Sequence, residues 1–184
     1  MNYRTLYNHH NILVDQGFGQ RRLFLNGTCM GRSEATKPSK PLSEYIIKIC
    51  DYIELKKFPN VLLIGGGAYL IPTNSPNSRF TIVEPSREIT DIATRYFGFK
   101  PWEHTLIFSI MEYVDLKFLN LFDCIILDAY SGNKPVPELY NEVFYTKCVE
   151  RLTKDGVLIV NDTSSGDNVI WLRNKSEPLK SVRL

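Results

Sequence analysis

The feature that most constrains this chain is a short, unbroken apolar run that recurs along it and stops each time at a small or polar residue. Val61-Leu62-Leu63-Ile64 stops at Gly65-Gly66-Gly67, Phe80 to Val83 at Glu84, Cys124 to Leu127 at Asp128, and Val157 to Val160 at Asn161-Asp162, with Thr105 to Phe108 as a fifth run. A run without polar alternation fits a strand covered on both faces. Helical patterns stand between these runs. Leu42, Ile46, Ile49, Cys50 and Ile53 recur at steps of three and four behind Ser43, a plausible N-cap. Ile89, Ile92, Ala93, Tyr96 and Phe97 form a second stripe between Ser86 and Gly98. Leu139, Tyr140, Val143, Phe144, Cys148 and Leu152 suggest a third helix, turned back at Lys154-Asp155-Gly156. Strand alternating with helix requires crossover connections and a parallel sheet. The expected fold is therefore α/β and Rossmann-like, with five parallel strands.

The first part of the chain reads differently. From Tyr7 to about Arg32 the pattern is short and alternating, and Asn26-Gly27 follows Arg22-Leu23-Phe24-Leu25. Asn-Gly between two such runs signals a tight hairpin, since both turn residues need positive φ. The segment from Gly31 to Pro41 reads as a loop. This divides the chain into a β-hairpin unit over 1–36 and a nucleoside-binding unit over 42–184, with a polar tail expected to fray after a strand at Val169-Ile170-Trp171-Leu172.

Several function classes are not suggested. The net charge of +2 on 184 residues comes from interspersed charges, without a basic stripe for nucleic acid. No leader and no run of about 18 apolar residues is present, so a membrane is not expected and the cytoplasm is. Cys29, Cys50, Cys124 and Cys148 include no Cys-x-x-Cys pair; the last three read as buried thiols. His9 and His10 would alternate faces on a strand and could hardly grip one ion together, so no metal is expected. Trp102 and Trp171 read as packing residues.

In an open parallel sheet, ligands bind beyond the carboxyl ends of the strands, where strand order reverses. Gly65, Gly66 and Gly67 let the backbone approach a ligand, and Glu84 stands where a carboxylate can accept the hydroxyls of a ribose. A dinucleotide fits less well, because the third glycine of that fingerprint falls at Leu70 and Pro72 and Pro76 prevent a full-length helix after the turn. Asp128 ends an apolar strand before a loop long enough to cover a pocket, and there it can take a proton from an attacking amine. Tyr130, in that loop, can offer its ring face to an amine.

These pieces resemble the spermidine synthase-like aminopropyltransferases. The resemblance rests on Arg22 to Gly27, Val61 to Gly67, Val83-Glu84-Pro85, Tyr96-Phe97-Gly98, Asp128-Ala129-Tyr130-Ser131-Gly132 with Pro137, Leu139-Tyr140, Val143-Phe144-Tyr145, and Leu152 to Leu158, in order over roughly residues 5 to 162. It implies a small amino-terminal β unit before a class I methyltransferase-like sheet. It also implies transfer of an aminopropyl group from decarboxylated S-adenosylmethionine to a small-molecule amine, without a metal and with a homodimer as the default assembly. Asp128 matches the family's catalytic carboxylate and Glu84 its ribose-binding one; the glycines contact the cofactor, and Tyr130 and Ser131 fall in the substrate loop.

Five positions depart from the family. Its hairpin Gln is Met30, its glycine-rich turn continues with Ala68-Tyr69 in place of Asp-Gly, its adenine-binding Asp is Ile110, and its second loop carboxylate is Ser131. Its Tyr-x-Glu has no clear counterpart near Glu44-Tyr45. A distal ammonium wants a carboxylate that Ser131 cannot supply, so plain putrescine is not the expected acceptor. The alternatives are a methyltransferase using S-adenosylmethionine on the same fold and a non-catalytic relative with a degenerate pocket. The antiparallel strands that usually complete such a sheet are expected to be missing or partly formed.

Overall fold

A computed structural model describes residues 2–111, 114–163 and 169–174. Four antiparallel strands come first, in spatial order β1 (Arg4–His9), β2 (Ile12–Gly17), β3 (Gln20–Leu25) and β4 (Thr28–Glu34). The amino-terminal unit is thus a four-stranded sheet, larger than one hairpin. Asn26 and Gly27 take φ of 50° and 77° in the turn from β3 to β4, as the dipeptide predicts. Two further tight turns lacked that signature: His10 (φ 48°) joins β1 to β2, and Phe18-Gly19 (φ 48° and 76°) joins β2 to β3. His10 therefore lies in a turn, and the alternation of a strand does not extend across the histidine pair.

Helix α1 (Glu44–Lys56) buries Ile46, Ile49, Cys50 and Ile53, and it ends at Lys57, which takes a left-handed φ of 55°. It leads into β5 (Asn60–Ile64), and α2 (Leu70–Thr73) is a single turn, as the two prolines dictate. β6 (Arg79–Val83), α3 (Arg87–Phe97) and β7 (Thr105–Ile107) follow. The Ser86 hydroxyl caps α3 by accepting from the Ile89 amide at 3.2 Å, and Gly98 closes it at φ 76°. Then come β8 (Phe122–Leu127), the short pair β9 (Tyr130–Ser131) and β10 (Lys134–Pro135), α4 (Glu142–Glu150), β11 (Leu152–Asp162) and β12 (Val169–Asn174).

The main sheet runs β12-β11-β8-β5-β6-β7, with five parallel strands and β12 antiparallel to β11. One antiparallel edge strand is therefore present. The fold is Rossmann-like, of the class I methyltransferase-like kind, with a small antiparallel sheet before it. Alternate residues of β5 and β8 serve two cores. Val61, Leu63, Cys124 and Ile126 pack with α1, α3 and Ile12, Val14 and Leu23 of the first sheet, whereas Leu62, Ile64, Ile125 and Leu127 pack with Phe144 and Cys148 of α4. This is why those runs carry no polar alternation. Phe80 is fully buried in the first core, edge-on to His104. Phe80→Ala is expected to cost about 3–5 kcal/mol, read as a lower urea midpoint.

Four local expectations need correction. β4 runs to Glu34, so the loop expected from Gly31 starts only after it. The third helix covers only 142–150: Leu139 and Tyr140 lie in the loop before it, Val143 is exposed, and Leu152 begins a strand. Lys154-Asp155-Gly156 sits inside β11, where its ladder to β8 is interrupted between Leu152 and Val157. Trp102 is 74% exposed and so is not a buried packing residue. The fraying expected of the tail, and the side chain of Trp171, fall outside the described residues. Among the described residues no helix is long and apolar enough to cross a membrane.

Candidate functional site

The chain leaves β5 toward β6 and β7, then returns to place β8 on the other side of β5. That reversal opens a crevice beyond the ends of β5 and β8. Gly65 and Asp128, the first residues past those two strands, meet there. Gly65 takes φ 94°, and a Cβ on it would lie 2.2 Å from the Asp128 carbonyl oxygen. Glycine is required at 65 for both reasons. Backbone bonds tie the strand ends together: Gly65 N–H donates to Val83 O at 3.0 Å and Asp128 N–H to Ile64 O at 2.9 Å.

The crevice widens into a cavity of about 210 Å³. It is lined by Ile64, Gly65, Gly67, Val83 and Glu84 from the ends of β5 and β6 and the turns after them, by Leu25 and Met30 from the first sheet, by Ile89 of α3 with Ile110 and Met111, and by Asp128, Ala129, Tyr130, Val136 and Leu139 from the segment after β8. Glu84 and Asp128 thus line the same hollow. Among the described residues no Lys, Arg or His lines it.

The two carboxylates are held differently. Glu84 Oε2 accepts from the Gly66 amide and Oε1 from the Ser86 amide, each at 2.9 Å. Burial pushes its carboxyl above the usual range, and the backbone amides pull it partly back. Each oxygen keeps a second lone pair for a ligand hydroxyl. Asp128 Oδ1 accepts from Asn161 Nδ2 at 2.8 Å and Oδ2 from the Tyr45 hydroxyl at 3.3 Å. Burial raises its pKa as well, opposed by those two donors. A carboxylate raised in this way is a stronger base than a solvated one, which suits it to accept a proton.

Gly65 and Gly67 line the cavity, whereas Gly66 contributes through its amide to Glu84. Tyr130 lines it too, its hydroxyl donating to Asn161 O at 2.7 Å and its ring meeting Tyr140 edge-on. Tyr140, off the helix, accepts from the Ala129 amide at 3.2 Å and so fixes the start of the loop. Ser131 is exposed and is not among the lining residues. Met30 and Ile110, two of the family departures, both face the cavity and make it more apolar.

Two residues that sequence reasoning missed are Tyr45 and Asn161, the partners of Asp128. Tyr45 could have been found from the Tyr-x-Glu pattern, with Ile47 standing where that pattern has its carboxylate. Asn161 carried only the weaker signal of a polar residue ending an apolar strand.

The fold is Rossmann-like, of the class I methyltransferase-like kind. Within that class the chain resembles the polyamine aminopropyltransferases. Over 113 residues it is 31% identical to the polyamine aminopropyltransferase of Vibrio vulnificus (strain CMCP6), a match covering 57% of this chain and 38% of that protein. A second, from Neisseria meningitidis serogroup A, is 29% identical over 104 residues, covering 53% of this chain and 39% of the relative. The matched stretch is thus about two fifths of the length of these curated relatives. No family model matches the chain. Among solved structures, a probable spermidine synthase from Corynebacterium glutamicum superposes with a TM-score of 0.68 at 17% identity, over 87% of this chain and 63% of that one. A putative protein-L-isoaspartate O-methyltransferase from Plasmodium falciparum, in complex with S-adenosyl-L-homocysteine, gives 0.56 at 14% identity, over 98% and 75%. At these identities the structural likeness speaks for the fold.

Proposed function

We propose that the cavity binds the nucleoside of decarboxylated S-adenosylmethionine and that the protein transfers its aminopropyl group to a small amine. The observation that carries this reading is that two carboxylates, and no cationic side chain among the described residues, line one hollow at the sheet's switch point. The decarboxylated cofactor brings a sulfonium and an ammonium, two positive charges to set against Glu84 and Asp128. The carboxylated cofactor would add a negative charge with no partner there, which is costly in a partly desolvated site. This argument favours aminopropyl transfer over methyl transfer. The sequence relatives named polyamine aminopropyltransferase support the same choice.

In the proposed reaction, the ribose hydroxyls rest on Glu84 and the purine lies between apolar walls that include Ile89 and Met111. The amine nitrogen attacks the carbon bonded to sulfur; the new C–N bond forms as the C–S bond breaks, and its electron pair neutralises the sulfonium to give methylthioadenosine. The proton lost by the amine goes to Asp128 and then to solvent. A free amine of this kind has a pKa of about 10, so a positioned base is needed before attack. The acceptor proposed is an amine other than plain putrescine, because Ser131 stands where the resemblance places a second carboxylate.

The test is release of methylthioadenosine when the purified protein is mixed with decarboxylated S-adenosylmethionine and a panel of mono- and diamines. Release with at least one amine is expected. No release with any amine, together with methyl transfer from S-adenosylmethionine, would move the protein to the methyltransferases.

A further inference from the structure

Away from the cavity, the turn between β1 and β2 brings His9 and His10 over the first turn of α3. Their ring centroids are 3.7 Å apart, because His10 has left the strand and its left-handed backbone returns its ring to the same side as that of His9. Glu88, in the first turn of α3, completes the group: one ligating atom from each of the three residues lies within 4.8 Å of the other two. His9 Nδ1 and Glu88 Oε1 are 3.1 Å apart. The two atoms share a hydrogen bond, and a tetrahedral ion with bonds of about 2.0–2.1 Å has an edge of about 3.3 Å, so an ion that takes the place of the shared proton requires little change in their spacing. His10 is exposed and can rotate to close the remaining gap.

We propose that His9, His10 and Glu88 form a site for a divalent transition-metal ion, with Zn²⁺ the ion that the donor set suits. Two imidazoles and a carboxylate are the borderline donors zinc accepts, with a fourth position left to water. The carboxylate also has an outer partner: the Tyr7 hydroxyl donates to Glu88 Oε1. Such a bond orients a ligating carboxylate and holds it in place. The three ligands come from two elements that are far apart in sequence, so a bound ion pins the first hairpin to α3. Glu88 lies four residues beyond Glu84, and Pro85, Ser86 and Ile89 between and after them line the cavity. The ion would therefore stiffen the cavity's rim, whichever ligand the cavity takes.

The experiment titrates the full chain, purified without a polyhistidine tag, with Zn²⁺ against a chromophoric chelator at neutral pH, and follows the melting midpoint in parallel. One ion per chain and a saturable rise in the midpoint are expected. His10→Ala and Glu88→Gln should each weaken binding by at least about tenfold, and Tyr7→Phe by about tenfold, the usual effect of losing an outer-shell partner. All three sites are at the surface or half-buried, and circular dichroism verifies that each variant folds. Cys29→Ser should bind as the parent does; if that change instead abolishes binding, the ion sits on the exposed thiol and the proposal fails. A His9→Ala/His10→Ala double variant that binds Zn²⁺ as tightly as the parent would overturn it equally.

Discussion

Asp128→Asn is expected to lower the rate of methylthioadenosine release by about 10²–10⁴-fold, the range a positioned general base contributes, while leaving the protein at least as stable at neutral pH. The side chain keeps its size, and its network can adapt: the amide oxygen still accepts from Asn161 Nδ2, and the new amide nitrogen can donate to the Tyr45 hydroxyl, which turns from donor to acceptor. Burial raises the Asp128 pKa, so the folded protein holds this proton more tightly than the unfolded chain. The group's contribution to stability is full below the unfolded pKa of about 4 and is lost as the pH rises through the folded value. The parent's disadvantage against the variant should therefore appear at neutral pH and vanish toward pH 4, as paired urea titrations would reveal. A variant that keeps its turnover removes Asp128 from the chemistry.

Gly65→Ala should be the most damaging glycine-to-alanine change among the described residues, costing about 3 kcal/mol or more in chemical denaturation. The added Cβ would lie 2.2 Å from the Asp128 carbonyl oxygen and 2.8 Å from its carbonyl carbon, both backbone atoms that cannot swing aside, and a φ of 94° is unfavourable for an alanine. Relief requires the ends of β5 and β8 to part, which moves Asp128 relative to Glu84. Ligand binding should fall along with stability. Gly19→Ala makes the comparison: its φ of 76° carries the same kind of backbone cost, but nothing lies within 4 Å of its Cβ, so it should be much milder and leave the cavity unaffected.

The parallel sheet was legible because covering both faces removes polar alternation, and Val61-Leu62-Leu63-Ile64 or Cys124-Ile125-Ile126-Leu127 can hardly be read otherwise. The cavity's acidic pair was legible because strand ends are where such sheets bind. What stayed hidden depended on long-range placement. Tyr45 meets Asp128 only because α1 packs beside the end of β8, and Asn161 only because β11 lies next to β8, facts that local patterning does not contain. Val143 satisfied a helical stripe that extended further than the helix itself, since Leu139, Tyr140 and Leu152 carry apolar groups into a loop and a strand. The relative placement of the two histidine rings was hidden for a backbone reason: alternation holds within a strand, and His10 lies in a left-handed turn whose sequence has no glycine to announce it.

The most direct measurement is the melting midpoint with methylthioadenosine, decarboxylated S-adenosylmethionine and S-adenosylmethionine, on the parent and on Glu84→Ala, each referenced to its own unliganded midpoint. A cavity that takes the adenosyl group predicts a rise with the first two, a smaller one with the carboxylated cofactor, and none of these in the variant. No rise in the parent with any of the three, or rises that persist unchanged in Glu84→Ala, would contradict the account.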